Sequence, residues 1–104
     1  MIAVSELIPS VVQVVSGEDY IVYAYLNDGT IRKKDMAPVV LGAVPGSVFA
    51  KLADKNIFYN TLTVMNETVA WDINGDRNPR KCIDIDPYSV YEWEVVKDPL
   101  ANKI

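Results

Sequence analysis

A chain of 104 residues, half of them hydrophobic, is long enough to bury one core without metal or disulfide staples, so a single domain over residues 1–104 is expected. Its formal net charge of −4 argues against the broad positive field that duplex nucleic acid demands of a partner. The absence of histidine removes the commonest general base, the Ser–His and Cys–His nucleophile pairs and the usual zinc ligand; no cofactor, metal or catalytic residue is expected.

The N-terminus from Met1 to Pro9 is apolar, but no basic residue precedes it, it carries Glu6 and Pro9 breaks it, so it does not read as a signal peptide. No uninterrupted apolar stretch reaches the roughly 18 residues of a membrane span. With Cys82 as the single thiol, a cytoplasmic setting is expected. Val11 to Ser16 is β-branched and predicts a first strand, with a turn at Gly17 to Asp19. Tyr20 to Leu26 is apolar or aromatic on both faces and predicts the central strand.

Asp28-Gly29 follows, and between two β-rich runs it predicts a hairpin closed by a two-residue type I′ turn, with φ > 0 at both positions. That loop would pair Leu26 with Ile31, Tyr25 with Arg32, Ala24 with Lys33 and Tyr23 with Lys34. Val22, Ala24, Leu26 and Ile31 then share one face. Tyr23, Tyr25, Arg32 and Lys34 share the other, an aromatic and cationic surface that is the candidate binding site. The competing expectation is that the C-terminal segment covers this face, with Tyr91 or Trp93 lying over it.

Met36 to Gly42 is a short piece bounded by Pro38 and Gly42, and Pro45-Gly46 makes a further turn. Ser47 is placed to cap a helix whose apolar stripe is Val48, Phe49, Leu52 and Ala53, with Ile57 and Phe58 continuing the burial. Thr61 to Met65 and Thr68 to Ile73 predict a second hairpin turning at Asn66-Glu67; Asn74-Gly75 closes it and 76–81 is a polar loop. Cys82 to Ile85 predicts a short strand, Asp86-Pro87 starts a helix running to Trp93, and Asp98 to Ile104 is expected to fray. The expected fold is α+β: a small antiparallel sheet built from two hairpins, one main helix and a short C-terminal helix.

Several of these pieces together resemble the bacterial family called domain of unknown function 2442. They are Asn27-Asp28-Gly29 with Arg32 and Asp35 after it, Gly46-x-Val48-Phe49-x-x-Leu52-x-Asp54-x-x-x-Phe58, Val69-Ala70-Trp71, and Asp84-Ile85-x-Pro87-x-x-Val90-Tyr91. The resemblance spans Val11 to Tyr91 and rests on the order of weak motifs. It implies a small bacterial α+β protein whose gene neighbours that of another small family, in a toxin–antitoxin-like pair. This chain departs from the pattern at Lys34, where an aromatic residue is usual, and in the inserted loop from Asp76 to Lys81.

Of the remaining chemistry, Asp72-x-Asn74-x-Asp76 opens like a calcium loop, but Arg77 stands where Gly belongs and Ile83 where the bidentate Glu belongs. Asp84 and Asp86 would share a strand face, and Arg80 and Lys81 flank Cys82; an enzyme built on Asp84, Asp86 and Cys82 is the third-ranked expectation. Ser47 and Lys51 have dyad spacing, but a capping Ser has its oxygen committed to a backbone N–H. The basic clusters Arg32-Lys33-Lys34 and Arg77, Arg80 and Lys81 make a nucleic-acid-associated regulatory component the second expectation. First stands a non-enzymatic protein-interaction module whose expected partner is a protein, either a neighbouring gene's product or a second copy of the chain.

Overall fold

In the computed structural model, which describes residues 9–100, the β-branched run Val11–Ser16 forms β1 and the alternating run Ile21–Leu26 forms β2. The N-terminal expectation over residues 1–8 and the part of the expected fraying that falls on residues 101–104 lie outside the described residues, whereas Asp98 to Leu100, also expected to fray, are held by the bonds that the Asp98 carboxylate accepts from the Tyr25 hydroxyl and the Leu100 N–H. Ile31–Asp35 (β3) completes the first hairpin, and Glu94–Val96 (β7) joins from the far end of the chain, giving an antiparallel sheet in the order β1-β2-β3-β7. A second antiparallel sheet holds Leu62–Met65 (β4), Thr68–Trp71 (β5) and Ile83–Asp84 (β6) in that order. The fold is α+β, as expected, with the two hairpins in separate sheets. Among the described residues no helix is long and apolar enough to cross a membrane.

The first hairpin differs from expectation in its turn, and the difference propagates. Leu26 pairs with Thr30 across a three-residue loop, through Leu26 N–H to Thr30 C=O at 2.9 Å and Gly29 N–H to Leu26 C=O at 3.0 Å. Within that loop only Gly29 has a positive φ, of 87°. The Asp28 carboxylate accepts from the Thr30 N–H (2.8 Å) and the Thr30 hydroxyl (2.5 Å), a local bond that holds Asp28 in an ordinary conformation. Such a loop adds one residue to the connection and moves the register by one. Tyr25 therefore faces Ile31, Ala24 faces Arg32, Tyr23 faces Lys33 and Val22 faces Lys34.

A Cβ at position 29 would meet nothing within 4 Å, so Gly29→Val should cost about 1–2 kcal/mol through backbone strain alone. Chemical denaturation measures it, and an unchanged midpoint would refute the left-handed requirement. The other tight hairpin turn, Asn66-Glu67, has positive φ at both residues (55° and 61°) and directly joins the Met65–Thr68 pair.

Ala37–Leu41 forms a short helix (α1) behind Met36, with Pro38 in its first turn where a missing N–H costs nothing. The expected helix from Ser47 is instead a 3₁₀ segment, Val48–Ala53, followed by a separate α2, Lys55–Thr61. Ser47 makes no capping bond, and Asp54 takes that role by accepting from the Asn56 N–H at 2.9 Å. Leu52 and Phe58 are both fully buried. On one continuous α-helix residues six apart lie about 120° apart around the axis, so the break lets both enter the core. The C-terminal helix α3 spans only Pro87–Val90, capped by Asp86, and the chain turns at Tyr91 into β7.

Val22, Ala24 and Leu26 on the inner face of the first sheet pack with Val69, Trp71 and Ile83 of the second, closed by Val40, Leu52, Phe58 and Val90 from the helical pieces. β5 is buried at all four positions, which makes it, and not β2, the strand covered on both sides. β2 alternates buried and half-buried, leaving its Ile21, Tyr23 and Tyr25 face outward.

Candidate functional site

The outward face of the four-stranded sheet is built from two cross-strand rows. Val15, Tyr23, Lys33 and Glu94 form one, and Gln13, Tyr25, Ile31 and Val96 the other. At one end of this face lies an open cleft of about 430 Å³ whose walls include Val15, Glu18, Ile21, Tyr23, Lys33 and Leu100; no helix contributes to it. The segment after β7 closes one side. The Asp98 carboxylate accepts from the Tyr25 hydroxyl at 2.5 Å and, with the same oxygen, from the Leu100 N–H at 2.9 Å. This Asx turn seats Pro99 and Leu100 at the cleft wall.

Burial, reinforced by the hydrogen bond to Asp98 and its negative charge, pushes the Tyr25 hydroxyl up to about 12. An unfolded tyrosine ionises near 10. Folding therefore retains a proton that the unfolded chain releases, so Tyr25's contribution is complete below about pH 10 and is lost as pH rises from there toward about 12. The melting temperature of Tyr25→Phe should accordingly fall less steeply than that of the wild type between about pH 9 and about pH 11. Parallel slopes would show that the hydroxyl is not held by Asp98.

Arg32 and Lys34, expected beside the tyrosines, point to the opposite face: the one-residue shift of register puts them on the side of Val22 and Ala24. Arg32 is buried and fully engaged. Its guanidinium donates to the Tyr91 carbonyl (2.6 Å), the Trp93 carbonyl (3.4 Å) and the Thr30 hydroxyl (3.1 Å), lies 3.8 Å from the Asp28 carboxylate and sits 4.5 Å from the Tyr91 ring centre. Arg32 thus joins the hairpin loop to the turn after α3. Burial acting alone would raise the Asp28 carboxyl, but the two hydrogen bonds from Thr30, the Arg32 charge and a bond from Tyr91 outweigh it and hold the group below its ordinary value. The cover expected from Tyr91 or Trp93 over the tyrosine face is supplied by residues 98–100, while Tyr91 stacks on Arg32 behind the sheet.

Lys33, Ile21 and the Asp98 turn belong to the face; the sequence placed Lys33 only in the basic cluster with Arg32 and Lys34, and did not mark Ile21 or the Asp98 turn. Thr30 directly after Asp28-Gly29 is the signal that could have found Lys33, since a Thr hydroxyl and N–H bonding back to Asp favour the longer loop.

The other candidates are placed as follows. Asp86 caps α3 by accepting from the Tyr88 N–H at 2.9 Å, and Asp84 on β6 accepts from the Asn66 side-chain amide at 2.9 Å. Burial, then the Asp84 charge, pushes the Cys82 thiol up, which keeps it protonated at neutral pH. Asp72 and Asp76 accept from backbone N–H groups of their own loop, at Arg77 and Asn78. Among the described residues no group of three or more Cys, Asp or Glu side chains is arranged to hold a metal ion. Arg77 donates to the Thr63 hydroxyl and the Val64 carbonyl, which leaves Arg80 and Lys81 at a second cleft. No protein-family model, curated protein or solved structure matches the chain.

Proposed function

We propose that the chain is a non-enzymatic protein-interaction module whose docking surface is the outer face of the four-stranded sheet, centred on Tyr23, Tyr25 and Lys33. The observation that carries this reading is the row of half-buried aromatic and aliphatic side chains beside an open cleft to which no helix contributes. Tyrosine concentrates binding energy at protein interfaces because it adds large, rigid, amphipathic area at low entropic cost. With a net charge of −4, the rest of the molecule steers a basic partner toward it.

A protein encoded beside this one, in a cytoplasmic toxin–antitoxin-like pair, is the first partner to test, and a second copy of the chain the next. Co-expression with the neighbouring gene product, followed by titration of the purified pair, should show Tyr23→Ala with Lys33→Ala weakening association about tenfold or more while leaving the melting temperature nearly unchanged. Tyr25 stays intact in that variant because it also holds Asp98. Association of undiminished strength would remove the face as the interface.

A further inference from the structure

We infer that the cleft between the 3₁₀ segment and residues 73–84 is a binding site for a small amphiphilic anion, a molecule with an apolar body and a phosphate or carboxylate head. The cleft measures about 350 Å³, within the range of small-ligand sites. Val48, Phe49, Ile73 and Ile83 contribute its apolar surface, and Val48 remains 54% exposed although it is a large hydrophobic residue. An uncovered apolar floor of this kind gains from taking a ligand body out of water.

The rim is cationic. Lys51, Arg80 and Lys81 come from two separate segments and converge on this one opening, in a chain whose acids outnumber its bases by 14 to 10. No described side chain forms a salt bridge or hydrogen bond with any of the three head groups, so all three are free to meet a ligand. The single carboxylate at the cleft, Asp84, is turned to account by the Asn66 amide at 2.9 Å. Three cations against one carboxylate select an anionic head, and the floor selects what is attached to it. The guanidinium of Arg80 offers a planar fork suited to phosphate or carboxylate oxygens, and the two lysines add point charges.

Cys82 lies in the same cleft and is the chain's one cysteine, so its alkylation reports on this site alone. The experiment is the rate of N-ethylmaleimide labelling of the full chain at mildly alkaline pH, with 1-naphthyl phosphate, adenosine monophosphate, 1-naphthol, inorganic phosphate or a short oligothymidylate added. The expected result is that 1-naphthyl phosphate slows labelling about fivefold or more at millimolar concentration, and that 1-naphthol and inorganic phosphate, each carrying half of the chemistry, protect much less. Protection by adenosine monophosphate as well would assign a nucleobase as an acceptable body. Protection should fall on raising the salt concentration and disappear in Lys51→Glu with Lys81→Glu. All three cations are exposed, so these variants should keep the wild-type melting temperature; Lys51→Gln with Lys81→Gln serves if they do not. Equal protection by 1-naphthol, undiminished protection in the charge-altered variants, or no protection by any small probe would overturn the site. Protection by oligothymidylate at lower concentrations than by 1-naphthyl phosphate would overturn the small-ligand assignment in favour of a single-stranded nucleic acid.

Discussion

Phe58→Ala should destabilise the protein by about 3–5 kcal/mol, the cost of emptying a core site that cannot collapse around the loss. Phe58 is fully buried at the meeting point of the aromatic core, with its ring centre 5.2 Å from that of Tyr20 and 5.4 Å from that of Trp71. The near-perpendicular contact with Tyr20 places a ring edge against a ring face, which adds to the area buried. Tyr20 in turn donates its hydroxyl to the Ala53 carbonyl, at the junction between the 3₁₀ segment and α2. Losing the ring would therefore loosen the connection as well as the core. In urea the midpoint should fall with little change in slope, and because small domains are stable by only about 5–15 kcal/mol, a large part of the folded population is at stake. Phe58→Leu, which keeps most of the volume, should cost well under half as much. A loss below about 1 kcal/mol for the alanine variant would mean that the site refills from its neighbours.

The second large effect is expected at Arg32. Arg32→Ala removes a buried cation, strips the carbonyls of Tyr91 and Trp93 of its donors and leaves the Asp28 carboxylate with only its bonds from Thr30 and Tyr91, and breaking a buried pair in this way costs about 3–5 kcal/mol. Arg32→Met keeps much of the stem packing but not the donors, so comparison of the two separates packing from hydrogen bonding. The pH dependence supplies an independent check. Asp28 is held below its ordinary value in the folded protein, so the unfolded chain takes up its proton first as pH falls. The stability that Asp28 contributes is complete above the unfolded carboxyl value of about 3.9 and is lost as pH drops through the folded one. The difference in stability between wild type and Arg32→Ala should thus narrow as the solution is acidified below about pH 4. A constant difference down to acid unfolding would show that Arg32 acts through its carbonyl bonds and not through Asp28.

The features legible in the order of residues are local. The β-branched run of β1, the turn at Gly17 to Asp19, the turn at Asn66-Glu67 and the cap at Asp86-Pro87 each follow from residues whose φ/ψ preferences or side-chain bonds act over two to four positions. The core residues Val22, Ala24, Leu26, Leu52 and Phe58 were legible for a related reason, since an apolar side chain inside a periodic element has few places to go but inward. Pairing between distant segments, and everything that depends on it, emerges only once the chain is folded. The three-residue form of the Asp28-Gly29 loop is held by two local bonds from Thr30 to the Asp28 carboxylate, yet that choice moves Arg32 from a solvent face to a buried junction. No periodicity marks the three residues of β7, which become a strand only because β3 offers them an edge, and the Asp98 turn matters only because Tyr25 lies beneath it. The cleft lined by Lys51 and Lys81 is the same kind of fact: thirty positions apart in the chain, they share an opening because β6 pairs with β5 and brings its preceding loop beside the 3₁₀ segment. Local preferences act within a few residues; register and cross-chain packing are set by the sum of many distant contacts, which no short window of sequence contains.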